Sequence, residues 1–395
     1  MMSEAYCYVG CYPGAEVPEA LHVLKCDTET GAIRDVQVVT GVEGTSYLQV
    51  DRAGRWLYSV LGDERKRETK GRAVRFALDG AKIGEMEMLA ELPCPAPCHV
   101  ELSPDERFVS FAAYRAGTAG TLPTDGGPVT SYVFPDDAMG PNAKRQEKAF
   151  AHQTFYVPSS LIPRPSSLLG VVDLGCDRIR FFDPETMRPT ESPDLTFDPG
   201  DGPRHAIFSK DGKFLFVLCE LSSCVYSFRC ECPWGSGVSP LLDKDVASSV
   251  KSGGTPLPHA DVSFPLFACV GKWSMLPADY DRWEPDGETL ATKAAAIKLT
   301  ADGKTLLASN RGHDSIAIFS VDAETGALTL RNIAKLGGRS PRDFELMPGD
   351  NYVIVGYELD DGIQSYRFDR KDFTLTPVGD VVKAWHPVCC KFVPS

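Results

Sequence analysis

Apolar residues along this chain come in short runs, each preceded by a polar turn built on Asp-Gly or a close variant. The phrase reads Asp51-Arg-Ala-Gly54 before Trp56-Leu-Tyr-Ser-Val60, then Ser103-Pro-Asp105 before Phe108-Val-Ser-Phe111. It returns as Ser209-Lys-Asp-Gly212 before Phe214-Leu-Phe-Val217 and as Thr300-Ala-Asp-Gly303 before Leu306-Leu-Ala308. Met347-Pro-Gly349 before Tyr352-Val-Ile-Val355 is a further copy, and Pro163 to Val172 a degraded one. Asp-Gly between apolar runs signals a hairpin, because the turn needs a positive φ that glycine adopts without steric cost. A second strand closes each unit, as in Val74-Arg-Phe-Ala, Arg178-Ile-Arg-Phe-Phe182, Val225-Tyr-Ser-Phe228, Ile316-Ala-Ile-Phe319 and Ile363-Gln-Ser-Tyr366. These alternate apolar and polar positions as half-buried strands do. No comparable stretch sustains a helical period, so the pattern predicts an all-β chain.

The interval between equivalent residues fixes the architecture. It is 52 residues from Leu57 to Val109, 59 from Val109 to Leu168, and 47 both from Leu168 to Leu215 and from Leu306 to Val353. That length suits one four-stranded antiparallel sheet per unit in a β-propeller. Six phrases leave a ring open. The first strand, Ala5-Tyr-Cys-Tyr-Val-Gly10, has no such turn before it, and the last is Val388-Cys-Cys-Lys-Phe-Val393. Pairing both termini in one sheet supplies a seventh blade and removes the open edges. The expectation is therefore one seven-bladed propeller domain over residues 1–395. The interval from Leu215 to Leu306 is 91 residues. Residues 232–292 are rich in Pro, Gly and Ser and lack the phrase, which reads as a loop insertion.

Composition then narrows the function classes. Hydrophobic content of 43% and charged content of 24% are those of a globular protein. A formal net charge of −13 argues against a nucleic-acid surface, which needs clustered Lys and Arg. No apolar stretch reaches bilayer-spanning length and the start shows no signal-peptide pattern, so the expectation is a cytosolic protein with no membrane partner. Thirteen cysteines lack the framework of a small secreted scaffold. Cys94-x-x-x-Cys98-His99 and Cys230-Glu-Cys232 lack the matched spacing of structural zinc and read as thiols of a reducing compartment.

Candidate chemistry follows from the wheel. Its inner strands converge on a central channel, so polar residues just before such a strand, or ending the next one, point toward one mouth. Asp201-Gly-Pro-Arg204-His205, Ser340-Pro-Arg342-Asp343 and Pro97-Cys-His99 occupy the first position. Tyr114-Arg115, Glu220 and Ser309-Asn310-Arg311-Gly-His313 occupy the second. Arginines from separate blades around one axis suit a bidentately held anion. Bland readings compete: Arg204 tied to Asp201 or Asp211, Arg342 paired with adjacent Asp343, and Glu220 as an arginine partner rather than a base. Asp177-Arg178 and Glu358-Leu-Asp360-Asp361 read as blade edges or solvated loops. No Gly-x-Ser-x-Gly elbow, phosphate loop, His-Glu-x-x-His or calcium loop is present, so neither a metal nor another cofactor is expected.

These residues carry a resemblance. The chain resembles the seven-bladed propeller lactonase family, which includes bacterial-type 6-phosphogluconolactonases and fungal carboxy-cis,cis-muconate cyclases. The likeness runs from Tyr8-Val-Gly10 to Pro387-Val388. Its most specific pieces are Gly202-Pro-Arg-His205, Asp173-Leu-Gly-Cys-Asp-Arg-Ile179, Ser309-Asn-Arg-Gly-His-Asp-Ser-Ile316 and Ser340-Pro-Arg-Asp-Phe344. The resemblance implies an active site of one His, two Arg and one Glu. The arginines fall on Arg204 and Arg311, the glutamate on Glu220, and the nearest histidine is His152. Ser159-Ser160 stand where the family places its histidine close to the strand. His99, His205, Arg342, Asn310 and Tyr114 are the expected substrate-binding residues. The 232–292 segment and a Gly117–Gly127 loop are expected to shape the mouth.

The leading expectation is a metal-independent lactonase acting on an anionic sugar lactone of the 6-phosphogluconolactone type, with Glu220 or His152 as general base. The same site suits a cycloisomerase closing a muconate to a lactone. A non-catalytic propeller binding a partner or a small anion is a reading from another class. A calcium-dependent lactonase with Glu220 and Asn310 as ligands is a fourth.

Overall fold

A computed structural model describes residues 4–12, 19–42, 44–62, 70–162, 167–231, 266–287 and 289–394. Among them the strands form seven four-stranded antiparallel sheets. Blade 1 runs outward through Thr45–Val50, Trp56–Leu61, Lys70–Asp79 and Lys82–Pro95. The innermost strands of blades 2 to 6 are His99–Leu102, Ala151–Tyr156, Pro203–Phe208, Lys293–Leu299 and Pro341–Leu346. Blade 7 joins the termini: Pro387–Phe392 is innermost and pairs with Glu4–Cys11, with Cys7 opposite Phe392 and Val9 opposite Cys390. Each innermost strand touches the next around the ring, and Pro387–Phe392 touches both Pro341–Leu346 and Thr45–Val50. The wheel is closed, as the pattern predicted. The short 3-10 turn Ser159–Leu161 is the helical element among the described residues, and no helix there is long and apolar enough to cross a membrane.

The recurring polar phrase is the hairpin between the first and second strands of a blade. Asp51 Oδ1 accepts from the backbone N–H of Arg55 and Trp56, and Gly54, Gly212 and Gly303 take φ of 65°, 72° and 71°. The second strands are the most apolar because both faces are covered. Leu57, Val109, Leu215 and Leu306 are almost fully buried between neighbouring blades, each such side chain contributing about 1.5–3 kcal/mol.

Two loop readings are corrected. Within 232–292, Leu266–Ser274 is the outermost strand of blade 4, paired along Cys224–Glu231. An outermost strand follows the third strand, so no Asp-Gly phrase announces it, and its exposed Ala268 and Cys269 leave no apolar alternation to read. The call of an insertion over 232–265 lies outside the described residues. The supposed Gly117–Gly127 loop contains the third strand of blade 2, Thr118–Pro123. Its Gly120 packs where a Cβ would stand 2.7 Å from the Phe111 ring, so a small residue there marks close packing and not a turn.

Candidate active site

Six of the seven innermost strands slip register against their second strand close to their start. The unpaired residue is Ser46 in blade 1, His152 in blade 3, Arg204 in blade 4, Arg342 in blade 6 and Val388 in blade 7. In blade 5 the slip spans Ala295 and Ala296. A bulge sets two residues against one and re-aims the extra side chain. Here it turns one residue from each of five blades toward the same mouth of the channel. Ser46, His152, Arg204, Arg342 and Val388 line one small cavity together with Tyr47, Cys98, His205 and Asp343.

A repeated carboxylate clamp holds these bulges. Asp177, Asp314 and Asp361 sit in hairpins with φ of 49°, 48° and 51°, a conformation that Asp tolerates better than most residues. Asp177 accepts from the N–H of Gly202 at 2.7 Å and of Gly200 at 2.7 Å. Asp314 accepts from Ser340 at 2.8 Å, and Asp361 from His386 at 3.0 Å. The held N–H lies two residues before Arg204, Arg342 and Val388 respectively, on the next blade. Asp177 is therefore a buried brace and not the blade edge read from sequence, whereas Arg178 does pair at the edge with Asp194.

Arg204, Arg311 and Glu220 meet, although they are spread over two blades. Glu220, ending the second strand of blade 4, is 4% exposed at its side chain and bonds three guanidiniums. Arg204 Nε lies 2.9 Å from Oε2, Arg311 2.9 Å from the same oxygen, and Arg145 2.5 Å from Oε1. Arg204 also donates to the Ala295 carbonyl of the next blade and lies 3.0 Å from His205 Nε2. Asp201 instead serves Tyr226 and Lys272, and Asp211 serves Ser209 and Lys213. Burial alone would raise the Glu220 carboxyl, but Arg311, Arg145 and Arg204 outweigh it and hold it well below its usual range. A carboxylate so neutralised is a poor base; Glu220 organises the arginines. Burial first, and then Arg311, push Arg204 down to about 10.

Arg342 completes the mouth. It donates to Glu358 at 3.1 Å and to the Tyr12 hydroxyl at 3.3 Å, so adjacent Asp343 is not the partner of these two nitrogens. Glu358, read from sequence as part of a solvated acidic run, is half-buried here and also accepts from Ser340. Tyr114 stacks on Phe150, meets His152 edge-on at 5.4 Å and accepts from Arg145.

His152, His205 and His99 form an axial series with ring centroids 5.3 and 5.9 Å apart. Burial, assisted by Arg204, pushes all three well below the ordinary histidine value, so each is neutral at pH 7. His152 lines the cavity, and its Nδ1 has no hydrogen-bond partner. His99 is outside the cavity lining, its ring tilted by 35° against that of Tyr47 at 4.3 Å. Asn310 is also outside: fully buried, it donates to the Met275 carbonyl. The other half of the supposed calcium pair, Glu220, is shared by three guanidiniums, whose positive charge opposes a cation there. Among the described residues one trio could gather around a metal, Asp201, Cys219 and Cys224. Its carboxylate already accepts from Tyr226 at 2.6 Å and Lys272 at 2.8 Å.

Sequence reasoning missed Arg145, Glu358 and Tyr12. Arg145 stands in the connection between blades 2 and 3, where Gln146 fastens the chain to the Leu174 carbonyl. No strand phrase adjoins it, so nothing in its neighbourhood marks it as facing the channel.

Relatives match the chain over nearly their whole length. The chain is 26% identical over 393 residues to a 6-phosphogluconolactonase of Bacillus subtilis, covering 98% of this chain and 97% of that one. It is 25% identical over 381 residues to a 6-phosphogluconolactonase of Formosa agariphila, covering 92% of each. Among solved structures, a gluconolactonase described as periplasmic, from Pseudomonas aeruginosa, superposes with TM-score 0.78 at 25% identity over 99% of both chains. A protein of Bacteroides fragilis described as a putative 6-phosphogluconolactonase gives 0.76 at 25%, over 100% and 99%. Residues 6–237 and 261–392 match the family described as lactonase, 7-bladed beta-propeller. With a closed ring of seven blades and its mouth lined by bulged residues, the chain belongs to the seven-bladed β-propeller lactonase family.

Proposed function

We propose that this protein hydrolyses the lactone of an anionic sugar acid, of the 6-phosphogluconolactone type, without a metal. The observation that carries the reading is that neutral His152 shares one cavity with the guanidiniums of Arg204 and Arg342. The names of the similar proteins support the same substrate class. In this reading a water attacks the lactone carbonyl while His152 accepts its proton. Arg204 and Arg342 donate to the oxyanion, each such donor being worth roughly 3–4 kcal/mol in a preorganised site. Collapse breaks the ring C–O bond, and the departing alkoxide takes the proton back from His152. The product is the open-chain hydroxy acid, which loses its carboxyl proton to solvent, and the catalyst ends as it began. Glu220 holds Arg204, Arg311 and Arg145 in position and takes no proton. We place the enzyme in the cytosol; recovery from an extracytoplasmic fraction of the source cells would overturn that placement.

The test is ring opening of 6-phosphoglucono-δ-lactone by purified protein, measured against spontaneous hydrolysis with and without a chelator. Turnover that survives the chelator and falls at least about 100-fold in Arg204→Ala, with melting temperature retained, supports the reading. No acceleration removes it. Turnover of a carboxymuconate in its place would make the enzyme a cycloisomerase. Tight binding without reaction would make it a binding module.

A further inference from the structure

The proposed chemistry uses residues that line the cavity and gives no contact with substrate to a second set of cations beside it. Lys293 and Arg311 are directly opposite in the ladder of blade 5, so their side chains leave the same face of the sheet. Arg311 reaches Glu220 from there, and Lys293 stands half-buried beside it. Arg145 arrives from the connection between blades 2 and 3 and touches Glu220 and Tyr114. With Arg204, four cations surround one carboxylate. Lys293 forms no ion pair among the described residues, and Arg311 Nε is a buried donor with no partner. Burial first, then Arg311, then Arg145 draw the Lys293 ammonium below its ordinary value, although Glu220 and Glu358 oppose them. Half-buried positive charge in such excess is costly unless an anion offsets it.

The form of that anion follows from charge and shape, and we propose that Lys293, Arg145 and Arg311 form a subsite beside the cavity for the phosphoryl group of the substrate, selecting phosphorylated over unphosphorylated aldonolactones. The three cations come from three separate chain segments. Such a spread suits the several oxygens of a dianionic phosphate. The subsite rests on the lactonase reading for its turnover arm only, since binding of the phosphorylated acid can be read without catalysis.

The experiment measures two ratios in wild type, Lys293→Met, Arg145→Met and Lys293→Arg. One is the calorimetric Kd of gluconate over that of 6-phosphogluconate. The other is kcat/KM for 6-phosphoglucono-δ-lactone over that for glucono-δ-lactone. Wild type should favour the phosphorylated member. Each methionine variant should reduce both ratios by about 10–100-fold, the loss expected for one charge-assisted contact, with Lys293→Arg recovering most of it. Because each ratio is taken within one variant, partial misfolding cancels. Equal ratios in wild type and Lys293→Met would overturn the subsite while leaving lactonase activity standing. Lys293-dependent binding of 6-phosphogluconate without turnover of either lactone would do the reverse.

Discussion

At the residue scale, Glu220 decides how the mouth is organised. It is one carboxylate serving three guanidiniums, so its removal strands several buried charges at once. Glu220→Gln keeps the volume and loses the charge; unfolding free energy should fall by about 3–5 kcal/mol. A urea titration checks this, and an unchanged midpoint would deny Glu220 its organising role. The histidines set the pH response. His99, His152 and His205 have folded values below the ordinary 6.5, so their neutral forms are complete above that value. As pH falls below about 6.5, the unfolded chain binds protons that the folded one refuses, at about 1.4 kcal/mol per pH unit for each histidine. Stability should therefore drop between pH 6.5 and 5, and less steeply in His99→Gln. The rate profile should show no inflection between pH 6.5 and 8, since His152 is already neutral there. An inflection in that window that vanished in His152→Gln would contradict the assignment.

At the element scale, the bulge and its clamp are the working unit. Asp177 fixes the chain two residues ahead of Arg204, and Gly202 has φ of 60° with a Cβ position only 2.4 Å from Leu221 Cγ. Asp177→Ala removes two charge-assisted bonds to backbone N–H groups and should cost about 2–4 kcal/mol, with kcat/KM falling as Arg204 loses its aim. Asp194→Ala, which breaks only the edge pair with Arg178, should stay within about 0.5 kcal/mol and leave kinetics alone. Chemical denaturation and steady-state rates of the two variants, measured together, separate a clamp from an ordinary ion pair. Equal effects would show that the clamp does nothing special.

For the whole molecule, closure is the governing event. Strand Pro387–Phe392 contributes the inner face of a sheet whose other three strands come from the first forty residues. Ending the chain at residue 385 would expose the edge of Glu4–Cys11 and that of Thr45–Val50's neighbour face, and would delete Val388 from the cavity. Open edges of this kind pair with other chains. The truncated protein should be recovered as aggregate, and size-exclusion chromatography showing a folded monomer would refute the closure argument. The same ring explains how an acidic protein of net charge −13 concentrates Arg145, Arg204, Arg311, Arg342 and Lys293 at one mouth. Local convergence, not overall charge, sets the field there.

The sequence by itself determined the wheel. Turn chemistry and strand alternation are local, so Asp51, Gly212 and Gly303 announce their hairpins without reference to the rest of the chain. It also marked Arg204, Arg311 and Glu220, because each sits beside a strand of the repeat, whereas His152 was offered only by the family resemblance. Tertiary structure alone decided which of them touch. Arg145 and Glu358 join the site from connections that carry no strand pattern. Asn310 and His99 flank strands just as the site residues do, yet both fall outside the cavity lining. Whether a side chain faces the channel depends on a one-residue slip between paired strands. Such a slip reverses the side-chain direction while leaving the alternation of the strand itself unchanged.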